Sequence, residues 1–225
     1  MGNVTEPVRL LAAHEVVADR LRRSIALGEV GVGERLPAER TLAANLGVSR
    51  LTVREALRVL QEEGALITRR GPAGGAFVTE RPRGLELAHV VEIFEYRLAV
   101  ETTAAQLAAE RRSQEDLTRL ADCGRALRAS GDAGAFRRAD SAFHLAVADA
   151  SGNAMLRSSI EDARAAMFDS FDTHPFRVLR DATASGHDAV ARPIEAGDGA
   201  AAASAMAEHL RDARDEVLAV LRGRS

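Results

Sequence analysis

Leu46-Gly47-Val48-Ser49-Arg50-Leu51-Thr52-Val53-Arg54-Glu55-Ala56-Leu57-Arg58-Val59-Leu60 is the stretch whose reading decides the fold. Gly47 supplies a tight turn, Ser49 is a good N-cap, and Thr52 to Glu63 continues as a helix that Gly64 closes. At about 100° per residue, Arg50, Arg54 and Arg58 form one narrow stripe. Val53, Ala56, Leu57 and Leu60 form a second, centred roughly 110° away on the same wheel. The apolar stripe packs on other helices. The arginine stripe is free to enter a major groove, where Arg takes guanine bidentately or clamps phosphate. By itself such a stripe also suits a solvated surface helix, so its neighbours must decide.

Upstream, Val16, Val17, Leu21 and Ile25 recur at helical spacing and predict a helix over 9–27, ended by Gly28. Gly31 to Pro37 reads as a loop, and a second helix follows at 38–45 with Leu42 and Leu46 facing inward. Downstream, Leu66-Ile67-Thr68 and Ala76-Phe77-Val78-Thr79 are β-prone runs joined by the basic, Gly-rich Arg69 to Gly75. They predict a two-stranded hairpin. Helix, helix, glycine turn, helix, hairpin is the order of a winged helix-turn-helix.

The composition changes near residue 80. Arg81-Pro82-Arg83-Gly84 reads as a linker between a DNA-binding domain at 1–80 and a second domain at 85–225. The second domain has helical periodicity throughout. Six helices are predicted, at 86–111, 114–130, 133–150, 153–171, 175–197 and 199–222, with breaks at Ser113, Gly131, Ser151-Gly152-Asn153, His174-Pro175 and Gly197-Asp198-Gly199. The expected fold is therefore mainly α: a winged helix-turn-helix followed by an all-α bundle of about six helices.

The 225 residues are 46% hydrophobic and 28% charged, which suits a chain with a buried core and not a disordered one. No run approaches a membrane span, and Met1 to Leu11 lacks the apolar core of a secretory signal. The single cysteine, Cys123, leaves no intrachain disulfide and reads as a small buried hydrophobe. A cytoplasmic protein without a membrane partner is expected. Net charge is −3, with 11 arginines against 10 acids in residues 1–80, so charge alone does not point to nucleic acid. All 30 basic residues are arginine, which codon bias explains more simply than function.

The run Gly33-Glu34-Arg35-Leu36-Pro37-Ala38-Glu39-Arg40-Thr41-Leu42-Ala43, with Leu46 to Arg50, Thr52 to Leu57, Gly64 to Ile67 and Gly74 to Val78, resembles the GntR family of bacterial transcriptional regulators. The resemblance covers nearly all of residues 10–80 and implies the DNA contacts by position. Arg40 opens the second helix and would reach backbone and base edges. Ser49, Arg50, Thr52 and Arg54 lie on the recognition helix, and Arg70 and Gly71 form the wing tip that enters the minor groove. Leu51 departs from the polar residue common at its position.

Six histidines are present, and three of them join Asp140 in a pattern. Asp140 and His144 stand four residues apart on one predicted helix, His187 lies within the fifth segment of the bundle, and His209 within the sixth. Three imidazoles and one carboxylate converging in a bundle would make a metal site. A lone helical histidine, however, is more often an ordinary core or surface residue. His14, His89 and His174 are read that way. The string Asp140-Ser141-Ala142-Phe143-His144, then Ser151-Gly152-Asn153, His187, and Met206-Ala207-Glu208-His209-Leu210 is similar to the all-α FCD effector domain of the FadR subfamily. That resemblance implies that Asp140, His144, His187 and His209 bind a divalent metal at the floor of a cavity reached by carboxylate effectors. It argues against the branch that lacks these ligands and takes acyl-CoA. Glu92 to Glu101 resembles the first helix of that domain. Within it, Arg97 either pairs with an effector carboxylate or bridges Glu101. Asn153 either polarises the cavity or caps a helix. Zinc is the first choice of metal, with nickel, manganese and iron as alternatives.

These readings predict a DNA-binding regulator, read as a repressor, that binds a pseudo-palindromic double-stranded operator as a homodimer and responds to a small organic acid. One alternative is a direct metal sensor with no organic effector. A remote one is a metal-dependent hydrolase, for which no catalytic residue stands out: no HExxH-like arrangement or nucleophile–base pair is present.

Overall fold

Ser49 begins the third helix with an extended backbone, and its hydroxyl accepts the backbone N–H of Thr52 at 3.0 Å. This computed structural model describes residues 12–71, 74–79, 87–170 and 176–222. Among them the order is α1 (Ala13–Ala26), α2 (Glu39–Leu46), α3 (Arg50–Glu62), β1 (Leu66–Arg69), β2 (Gly75–Val78), α4 (Leu87–Arg111), α5 (Gln114–Arg128), α6 (Ala133–Ala150), α7 (Ala154–Ser170), α8 (Phe176–Ala196) and α9 (Gly199–Arg222). The expected linker at 81–84, the predicted first turn at 9–11 and the break at His174-Pro175 lie outside the described residues. No described helix is long and apolar enough to cross a membrane. The chain forms two compact units, Met1–Ile25 with Val30–Arg81 and Ala26–Glu29 with Pro82–Ser225.

In the first unit the turn between α2 and α3 depends on Gly47, whose φ of +66° is left-handed backbone that a side chain disfavours. Val53, Ala56, Leu57 and Leu60 of α3 pack with Val17, Leu21, Leu42, Leu66 and Val78 into one core. Val16, counted with the apolar positions of α1, is instead 53% exposed; the buried line runs through Val17 and Leu21. The hairpin is antiparallel, with Leu66 opposite Val78 and Arg69 opposite Gly75. The loop at 31–37 has a structural role that its sequence does not advertise. Gly33 N–H donates to Val78 O, Leu36 N–H to Ala76 O, and Val78 N–H to Glu34 O, so this segment covers the outer edge of β2.

In the second unit α4 packs against α6, α7, α8 and above all α9. Ala104, Ala105, Ala108 and Ala109 are fully buried on α4, and small side chains let helices approach closely. Ser113 and Asp116 form a capping box at the start of α5, and Asp132 caps α6 by accepting from Ala135 N–H. Cys123 is buried in the core that also holds Phe143, Val147, Ile194 and Met206. Burial pushes its thiol pKa up.

Candidate functional site

Five helices of the second unit deliver polar side chains to one interior point. Asp140 and His144 come from α6, His187 from α8, His209 from α9, Arg97 and Glu101 from α4, and Arg164 from α7, and all seven are buried. The three imidazoles each present a nitrogen within 4.8 Å of the others. His144 Nε2 and His209 Nε2 stand 3.4 Å apart. Asp140 Oδ1 lies 3.2 Å from His187 Nε2 and 3.8 Å from His144 Nε2. Phe143 stacks on His187 with ring centroids 3.9 Å apart, which fixes the plane of that imidazole.

Buried polar atoms are normally hydrogen-bonded. Both ring nitrogens of His187 are buried without a hydrogen-bond partner, and its approach to Asp140 lacks hydrogen-bond geometry. The imidazoles also favour the neutral, ligating form. Burial pushes all three below the ordinary histidine range, His209 to about 3. Burial alone would raise the Asp140 carboxyl, but the Arg164 guanidinium beside it holds it well below the usual carboxylate range. Three neutral imidazoles and an ionised carboxylate suit a divalent cation. Gly186 leaves the room they need: a Cβ there would lie 2.4 Å from His209 Nδ1.

Two residues around this cluster carried no ligand signal in the sequence. Glu101 Oε2 meets His144 Nδ1 at 2.5 Å and Oε1 accepts from Arg97 Nε at 2.6 Å. A carboxylate on the far nitrogen of a ligating imidazole holds the ring and directs its other lone pair inward. Arg164, fully buried, donates to Asp140 Oδ2 and thereby leaves Oδ1 facing the imidazoles. Arg97 takes the second of its two expected roles, bridging Glu101, and it also lines the cavity beside the cluster. Asn153 takes only one of its two expected roles. Its Oδ1 accepts from Met155 and Leu156 N–H at the start of α7, and it does not line that cavity, so the structure places it as a cap and not at the site. His89 is exposed and 3.5 Å from Glu92, His14 is half-buried, and His174 lies outside the described residues.

The cavity holds about 50 Å³. Its polar end is Arg97, Asp140, His144, Arg164 and His209, and Phe94, Phe136, Met167, Phe168, Leu179 and Val217 form apolar wall. Two buried cations, Arg97 and Arg164, balance two buried carboxylates, Glu101 and Asp140. With neutral imidazoles, a divalent cation would leave the pocket net positive and selective for an anion.

In the first unit, Arg40, Arg50 and Arg54 are exposed, as are Arg70 and Gly71 at the hairpin tip. Arg54 Nη2 is 3.1 Å and Arg50 Nη2 4.0 Å from Glu39 Oε2, so one carboxylate of α2 gathers two arginines of α3. Arg58 pairs with Glu55 and Glu62 of its own helix. Ser49 and Thr52 share a hydrogen bond at 2.8 Å as part of the cap. Arg69 lies over the ring of Phe77, 4.5 Å from its centroid, which stiffens the hairpin.

Comparison with known proteins agrees with both units. Residues 13–78 match the family model described as "Bacterial regulatory proteins, gntR family", and residues 92–212 match the FCD domain. The chain is 36% identical over 220 residues to the "Putative L-lactate dehydrogenase operon regulatory protein" of Escherichia coli (strain K12), covering 86% of this chain and 82% of that protein. It is 34% identical over 145 residues to the "Putative HTH-type transcriptional regulator RmpR" of Mycobacterium gastri, a match spanning 53% of that protein. Among solved structures, E. coli McbR/YncC superposes with a TM-score of 0.60 at 24% identity, covering 96% of this chain and 99% of that one, which establishes a shared fold.

Proposed function

Since this chain belongs to the GntR family of bacterial regulatory proteins and carries an FCD domain, we propose that it is a transcriptional regulator whose operator binding is set by a small carboxylate held at a divalent metal. DNA binding and regulation come with the family. The metal, the effector and the homodimer are our reading. The observation that carries it is His187, buried in a ring of neutral imidazoles with neither nitrogen hydrogen-bonded. Asp140, His144, His187 and His209 would hold the ion, and zinc suits the set, with nickel, manganese and iron next. When bound, such an ion offers a Lewis-acidic position to a carboxylate oxygen.

Arg97 supports an organic effector over metal sensing alone. Besides its bridge to Glu101, its guanidinium lines the cavity, where it suits a carboxylate well. The cavity of about 50 Å³ has room for roughly three to five waters. That favours an acid of a few heavy atoms, such as a short 2-hydroxy or 2-oxo acid, over a sugar acid or an acyl-CoA. L-Lactate, which appears in the name of the operon that the E. coli relative is named for, is an acid of this size. A homodimer would match a two-fold operator with one α3 per half-site. Coupling requires that the effector bind one dimer geometry more tightly than the other.

Elemental analysis of protein purified without chelator or nickel resin, beside His144→Ala and His209→Ala, tests this. We expect about one metal per chain in the wild type and none in either variant, and a thermal shift on adding lactate-sized acids to the wild type only. A wild type that holds no metal, even after addition of zinc, nickel or manganese, would overturn the reading. Release of operator DNA by the active acid would mark a repressor.

A further inference from the structure

We propose that Leu51 reads the methyl group of a thymine in the major groove and so specifies one A·T pair in each operator half-site. The inference rests on α3 being the recognition helix. Leu51 is 65% exposed, against 8% or less for each of Val53, Ala56, Leu57 and Leu60. Single exposed leucines are common on protein surfaces; the place of this one is what matters. At about 100° per residue, Leu51 lies about 170° from the centre of the buried face, on the outermost line of α3. It stands in the first turn, about 20° beyond Arg58 at the edge of the arc that Arg50, Arg54 and Arg58 span. A helix that lays this arc into the groove brings Leu51 to the base edges before any other apolar side chain.

Leucine has no donor or acceptor. Against the O6 and N7 of guanine, or the amino groups of adenine and cytosine, it would strip water from a polar atom and return nothing. Only thymine presents an apolar group in the major groove, its C5 methyl. The neighbours divide the remaining work: Arg50 and Arg54, gathered on Glu39 in the free protein, carry the forks that suit guanine or phosphate. Leu51 therefore adds a preference for thymine beside the contacts that those arginines make.

The full chain would be used to select duplexes from a randomised pool, and each thymine of the selected half-site replaced in turn by uracil, which removes only the methyl. We expect one thymine, in the same place in both half-sites, whose replacement weakens the wild type about three- to fivefold per half-site, the worth of one buried methyl. Leu51→Ala should bind the thymine and uracil duplexes equally, with little change in melting temperature because the side chain is 65% exposed and outside the core. Equal uracil sensitivity in the wild type and Leu51→Ala, or half-sites with no such thymine, would overturn the assignment. A pool that yields no enriched sequence would overturn the recognition helix itself and Leu51's role with it.

Discussion

Glu101 shows how much of the site rests on single side chains outside the ligand set. One of its oxygens takes Arg97 and the other takes His144, all three buried within the same helical layer. Removing charges from water is costly, and a buried ion pair is weak evidence for stability. This arrangement is therefore better explained by what it positions: an imidazole whose Nδ1 is occupied by Glu101 and whose Nε2 faces the cluster. Glu101→Gln keeps the shape but loses the charge that fixes this tautomer. Metal affinity should fall about ten- to a hundredfold, read by competition against a chelating dye, while circular dichroism of the metal-free chain stays that of the wild type. Unchanged affinity would mean that packing alone orients His144. Arg164 plays the parallel part for Asp140, and neither it nor Glu101 was visible as a site residue in the sequence. One charged residue among several on a helix looks like a solvated one, and only the meeting of five helices shows otherwise.

At the scale of the element, legibility followed locality. Caps and breaks are encoded within a few residues, so α5 and α6 start just after the breaks expected at Ser113 and Gly131, and α3 starts at the Ser49 cap. The segment 33–36 was read as loop because its partner is β2, some 40 residues on, and no local pattern marks an edge covered from a distance. Asp140 and His144 were legible as an i, i+4 pair, whereas their meeting with His187 and His209 was suggested by family resemblance and not by spacing. On α3 the arginine stripe was read as a groove-facing surface, and its exposure makes that reading testable. Arg54 is 59% exposed and its pair with Glu39 lies on the surface, where solvent screening leaves such pairs little weight in stability. Arg54→Ala should therefore abolish preference for a selected operator in a gel-shift assay while moving the melting temperature by no more than a few degrees. A large fall in melting temperature would make Arg54 a structural residue.

For the whole molecule, the buried cluster ties folding to pH through its histidines. An unfolded histidine takes a proton near pH 6.5. In the folded chain burial pushes all three cluster imidazoles lower, His209 to about 3. Between those limits the unfolded chain binds protons that the folded one refuses, so the stability of the metal-free protein rises with pH through that window and is lost as pH falls from about 6.5. Above about pH 7 both states carry neutral imidazoles and this contribution is flat. Asp140 adds to the loss only at more acid pH: its folded pKa is depressed, so its stabilisation is present above the ordinary carboxylate range and disappears as pH falls through it. Thermal unfolding of the full chain in chelator, at steps from pH 8 to pH 5, should show a plateau and then a steady fall in the transition of the helical unit. His209→Ala should flatten that fall, since one proton-refusing site is gone. A metal ion held by the folded cluster adds stability, but the edge of the plateau is set by the unfolded histidines, so the loaded protein should melt higher and descend from the same pH, about 6.5, in parallel with the metal-free one. A fall that begins at pH 8 would show that the imidazoles are not the refused proton sites, and curves that coincide with and without metal would show that they are not the ligands.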